Sequence, residues 1–108
     1  MTRGDIVVVA TRGAYTGKPR PALVVQADLF NEVHGSVTIC LVTSELVDAP
    51  LFRLALPASP RTGLDQPSHV MVDKIVSVPR ESIGKTIGRC TAGEIEAVDG
   101  AMRRWLAL

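Results

Sequence analysis

The sequence predicts a mainly β fold closed by one carboxy-terminal helix. Three observations carry this reading. Short apolar or alternating runs are separated by Gly- and Pro-rich turns, the spacing becomes helical after Gly88, and 46% hydrophobic with 21% charged residues is the balance of an ordinary globular chain. At 108 residues the chain fits a single domain, residues 1–108, with one hydrophobic core.

The elements follow in order. Ile6 to Ala10 is a β-branched run introduced by Gly4-Asp5, and Ala22 to Gln26 is a second, introduced by Pro21. Between them "TRGAYTGKPRP" reads as a loop. Val37 to Val42 forms a third strand after the turn His34-Gly35, and Phe52 to Leu56 alternates as a half-buried fourth that Pro57 stops. A second polar loop, "PASPRTGLDQPS", leads into the longest strand, Val70 to Val78, which Pro79 ends. Thr91 with Glu94 three residues later has the spacing of a capping box. Ile95, Val98, Met102, Trp105 and Leu106 then recur at helical spacing, and Arg103 and Arg104 lie where the helix dipole favours cations. Gly100 inside this helix costs about 1 kcal/mol against Ala, and its presence is expected to mark close packing against the sheet. Together these elements suggest a small, strongly curved antiparallel sheet or barrel.

Composition excludes several classes. A formal net charge of +1 rules out a wholesale electrostatic grip on nucleic acid, so any anion site must be local. Cys40 and Cys90 are far apart, have no CxxC spacing and read as free thiols, Cys40 in the core and Cys90 closing a Gly-Arg turn. No HExxH, cysteine cluster or dense carboxylate set offers a metal site, so no cofactor is expected. The amino-terminal apolar run is too short for a signal segment or a membrane span, which points to a cytoplasmic protein.

The ordered series "RGDIVVV", "GKPRPALVVQ", "ICLVTS", a short Arg-containing strand and "SHVMVDKI" resembles the MazF/PemK/Kid family of bacterial toxin endoribonucleases, over roughly residues 3 to 90. Its most specific parts are the Gly-Asp opening and the Arg-Pro entry into the second strand. The resemblance implies an SH3-like antiparallel β-barrel of the MazF/PemK/CcdB type that forms homodimers and cuts single-stranded RNA without metal. It also implies a cognate antitoxin whose flexible acidic tail lies across the site and folds on binding. Attack by the RNA's own 2'-hydroxyl, leaving 2',3'-cyclic phosphate and 5'-hydroxyl ends, needs a base, donors for the growing phosphate charge and a proton source. Two other readings share the fold: a toxin that poisons DNA gyrase by protein contact, and a catalytically inactive binding or regulatory homologue.

The resemblance makes Arg20, Thr43 and Asp73 the catalytic candidates. The Arg20 guanidinium presents a planar fork to phosphate oxygens, and its flanking prolines restrict its backbone. On residue type alone it reads as a loop arginine paired with Asp5 or Asp73. The Thr43 hydroxyl is a donor for a phosphate oxygen, with Ser44 beside it, although Thr-Ser pairs also cap strands. Asp73 matches a base or orienting acid and is equally a structural partner for Arg20. Met71 stands where the Kid-type branch has a basic residue, and Lys74 where glutamine is common, so the general acid falls to Arg20, Lys74 or water. Lys74 is a phosphate contact or a solvated lysine. Arg12, Tyr15 and Lys18 in the first loop suit single-stranded RNA, by stacking and by charge, or ordinary surface. His69 opens the fifth strand near Asp73 as a further substrate-binding candidate, while His34 reads as turn surface.

Overall fold

The computed structural model describes residues 1–10 and 18–108. Six strands form one antiparallel sheet: β1 (Asp5–Val9), β2 (Arg20–Val24), β3 (Ser36–Thr43), β4 (Arg53–Leu56), β5 (Ser68–Pro79) and β6 (Ile83–Arg89). Their order across the sheet is β4-β5-β3-β2-β1-β6. A short helix α1 (Asp28–Asn31) follows β2, a 3-10 turn (Arg80–Ser82) links β5 to β6, and α2 (Ala92–Leu106) ends the chain. Five of the six strands fall where the sequence pattern places them, within two residues at each end. The sixth, β6, is absent from the sequence reading because "IGKTIGR" carries two glycines and only two apolar residues. Those glycines permit contact: a Cβ on Gly84 would meet Val8 O at 3.0 Å, and one on Gly88 would lie 2.2 Å from Thr62 backbone atoms.

Unbroken apolar runs in β1, β2 and β3 correspond to strands buried on both faces. Ile6, Leu23, Cys40, Val42, Val70 and Val72 pack with Val98 and Ala101 of α2, while Val7, Val9, Ala22, Val24, Val37 and Ile39 form a second cluster. Burying one such Val or Ile contributes about 1.5–3 kcal/mol, so the register that assigns alternate residues to the two clusters is strongly fixed.

The capping box forms as the sequence predicts, with Thr91 Oγ1 accepting from Glu94 N–H at 3.1 Å and Glu94 Oε1 accepting from Thr91 N–H at 2.8 Å. The apolar helix face runs past the core, however. Trp105 is half exposed and tilts against Phe52 with ring centroids 5.7 Å apart. Gly100 does not mark close packing, because a Cβ there would meet only Arg104 Nη1, at 3.8 Å.

The Gly-Asp opening docks this helix. Gly4 has φ +94°, and a Cβ on it would lie 2.5 Å from Ile95 Cδ1. Asp5, almost fully buried, accepts from Thr2 N–H at 2.8 Å and from Arg89 at 2.5 Å. Arg3 reaches Asp99 on α2 and donates through Nε to Val25 O.

The loop between β4 and β5 folds over β6. Ser59 bridges Leu64, Arg89 N–H donates to Arg61 O, and the Thr62 hydroxyl is buried against Pro57 O at 2.7 Å. Gly63, at φ +70°, passes so close that a Cβ would sit 2.0 Å from Ile87 O. This loop joins the β4–β5 side of the sheet to its other edge.

Candidate active site

Strand β2 begins at Arg20, two residues earlier than the sequence pattern suggests. The cause is pairing: Val9 and Val8 of β1 face Arg20 and Pro21 in register, so the arginine sits on a strand and not in a loop. Across β2 and β3, Ala22 faces Leu41 and Leu23 faces Cys40. This pairing stops at Ala22, two residues after Arg20, while β3 runs on to Thr43.

Arg20 and Thr43 line one cleft of about 460 Å³, together with Lys18, Ser44, Asp65 and Gln66. Lys18, Arg20 and Ser44 are exposed. Thr43 Oγ1 accepts from Glu45 N–H at 3.1 Å, the strand-end turn expected of a Thr-Ser pair. That bond orients the hydroxyl and leaves its own hydrogen to donate. The far wall comes from the second polar loop: Leu64 is buried beneath it, and Ser68 is held by a bond from its hydroxyl to Gln66 O at 2.9 Å. Sequence reasoning missed Asp65 and Gln66. Only the close glycine approach at Gly63 turns this loop into a wall, and a lone "TGLDQ" does not reveal that.

The other sequence candidates lie apart from this cleft. Asp73 is half-buried on β5 outside the lining, and its Oδ1 is buried with no hydrogen-bond partner among the described residues. It falls where pairing of β3 with β5 shifts, between Cys40↔Ile75 and Val42↔Val70. Lys74, in the same irregular stretch, is exposed. His69 faces Thr43 across β3 and β5 but lines a neighbouring pocket. Arg12 and Tyr15 lie outside the described residues. Among the described residues no three His, Cys, Asp or Glu side chains converge as a metal site, and no helix is long and apolar enough to cross a membrane.

Burial pushes the Cys40 thiol up to about 12 and the Cys90 thiol up to about 11, so both are protonated at neutral pH. Neither is a nucleophile.

Comparison with known proteins decides the family. The family of PemK-like, MazF-like toxins of type II toxin-antitoxin systems matches residues 2–106. The chain belongs to this family. A probable endoribonuclease MazF of Mycolicibacterium smegmatis is 43% identical to this toxin over 108 residues, covering 100% of this chain and 98% of the relative. Endoribonuclease MazF9 of Mycobacterium tuberculosis is 32% identical over 116 residues, covering 100% and 98%. A chain of the MazE-MazF crystal structure from Deinococcus radiodurans superposes on the toxin with a TM-score of 0.84 at 27% identity, covering 100% of this chain and 97% of that one. The toxin thus has the fold of MazF toxins: a six-stranded antiparallel sheet with a carboxy-terminal helix.

Proposed function

We propose that this toxin is an endoribonuclease that cuts single-stranded RNA without metal, through the RNA's own 2'-hydroxyl. The carrying observation is the convergence of Arg20 and Thr43 from adjacent strands in one open cleft with Lys18 beside them. The relatives named as endoribonucleases, matching over the whole chain, support the same reading.

In this reading the 2'-oxygen attacks phosphorus and the bond to the 5'-oxygen breaks, leaving a 2',3'-cyclic phosphate and a 5'-hydroxyl. The Arg20 fork and the Thr43 hydroxyl stabilise the charge that grows on the phosphate oxygens. Lys18 and Ser44 hold the flanking backbone. Arginine hardly deprotonates, so Arg20 acts as an electrostatic group and water protonates the leaving oxygen. Asp65 is the carboxylate among the described lining residues, and we assign it the proton of the 2'-hydroxyl. Asp73, the acid that the family resemblance puts forward, stands outside the lining and takes a lesser, orienting part.

The test incubates wild type, Arg20→Ala, Thr43→Ala, Asp65→Asn and Asp73→Asn with a long single-stranded RNA in EDTA and analyses the new ends. Loss of a positioned donor or base lowers the rate about 10²- to 10³-fold. That loss is expected for Arg20, Thr43 and Asp65, and a loss under tenfold for Asp73. Reversal between the two aspartates returns the base role to Asp73. RNA left whole by folded wild type overturns the ribonuclease reading in favour of gyrase poisoning or an inactive module.

The reading includes a homodimer and a cognate antitoxin. The MazE-MazF neighbour supports the second, and an acidic antitoxin tail competes with RNA for the Lys18–Arg20 side of the cleft. Static light scattering at micromolar concentration checks the dimer.

A further inference from the structure

Beside the cleft lies a second concavity of about 360 Å³, at the small end of ligand pockets, that shares none of the cleft's lining residues. Leu46, Val47 and Pro50 wall it, and Asp48, Arg53 and His69 supply its polar groups. Its place is set by strand order. His69 on β5 is the cross-strand partner of Thr43, at a Cα separation of about 5 Å. Ala55 on β4 is in turn the partner of His69. The pocket therefore adjoins the Arg20–Thr43 cleft on the side away from Arg20, about two strand spacings, or about 10 Å, from β3. A single strand of RNA whose reacting phosphate sits at Thr43 brings the next base, splayed from its neighbours, to this pocket.

Its chemistry fits a base better than a phosphate. Asp48 repels an anion, and the apolar walls match a flat ring. Arg53 Nη1 donates to Glu45 O at 2.8 Å, which anchors the side chain while its remaining N–H groups stay available as donors. His69 Nδ1 is buried with no partner among the described residues. Donors on Arg53 and acceptors on Asp48 form the complement of a base that carries both acceptors and donors. Guanine offers both on adjoining sides: O6 and N7 on the Hoogsteen side accept from an arginine fork, and N1–H and the 2-amino group on the Watson–Crick side donate to a carboxylate.

We propose that Asp48, Arg53 and His69 form a base-reading subsite that selects guanine next to the cut. This inference rests on the ribonuclease reading and names the specificity of that reaction. The experiment digests a random-sequence single-stranded RNA pool with wild type, Arg53→Met and Asp48→Asn, and maps every cut by sequencing. Thermal unfolding of each variant is followed in parallel. Asp48 is exposed and makes no hydrogen bond among the described residues, so its variant keeps the fold even where Arg53→Met loosens the loop. The expected result is guanine enriched at one fixed position adjoining the wild-type cut, with that enrichment falling about tenfold or more in either variant. Cuts with no guanine preference there, or a preference unchanged in both variants, overturn the inference and leave the ribonuclease reading intact. RNA left whole by wild type overturns both. A binding readout independent of cleavage uses nuclear magnetic resonance of the His69 ring, expected to shift with guanosine monophosphate more than with cytidine monophosphate. Equal shifts count against guanine.

Discussion

A thiol inside a β-branched strand behaves as a small hydrophobe, and Cys40 is the example here. It is fully buried beside Leu23 and Val42, and burial is the main cause that lifts its pKa from 9.0 to about 12. The sign follows. Between those values the unfolded chain releases the proton and the folded chain keeps it, so stability is fully present below pH 9 and falls as pH rises towards 12. Urea midpoints measured from pH 7 to 11 are expected to drop in wild type and to drop less in Cys40→Ala, whose cavity lowers the starting value. At this scale the candidate site was legible in part: Arg20 and Thr43, singled out by short motifs, line one cleft with Lys18 and Ser44, whereas Asp73, His69 and Lys74 lie outside its lining. Asp65 and Gln66 were not singled out, because their place depends on how a loop packs, and nothing in their own identities records that.

Glycines separate the elements that the sequence reveals from those it hides. Apolar or alternating runs exposed five strands and the 3.6-residue period exposed α2, since burial imposes those patterns. Strand β6 lacks the pattern because Gly84 and Gly88 answer to close backbone approach and not to a pleated apolar face. Gly88→Ala and Gly63→Ala are therefore expected to destabilise by about 2 kcal/mol or more, by overpacking in both and by the positive φ of Gly63 as well. Gly100→Ala is the opposite case. Its Cβ meets only ordinary contacts, so the substitution is expected to stabilise α2 by about 0.5–1 kcal/mol and to raise the melting temperature by a few degrees. Differential scanning calorimetry of the three variants checks both signs. Helix α1, four residues long and without a side-chain cap, left no pattern for the sequence to show.

Over the whole molecule, α2 is held by ion pairs that tie distant parts of the chain together. Arg3 reaches Asp99, and Arg61 grips Glu94 through two bonds of 2.8 and 3.0 Å. Burial alone would raise the Glu94 pKa, but Arg61 and the Thr91 N–H together bring it below its ordinary value. Its contribution is present above the unfolded value near 4.5 and is lost as pH falls through the lowered one. Because this partly exposed pair is screened by solvent, the melting temperatures of wild type and Arg61→Ala are expected to differ modestly at pH 7, and protonation of Glu94 makes them converge at pH 3. These ion pairs were invisible in the sequence, where Arg3 stands 96 residues from Asp99 and Arg61 stands 33 from Glu94.

The loop between β4 and β5 serves two ends at once. Its middle, from Arg61 to Gly63, is clasped to β6, and its next residues, Leu64 to Gln66, are a wall of the cleft. Heat that peels this loop from β6 removes the wall in the same motion. Catalytic failure and the onset of melting should therefore share one temperature, and a hardier toxin obtained by tightening Thr62 against β6 should keep its activity to a correspondingly higher one.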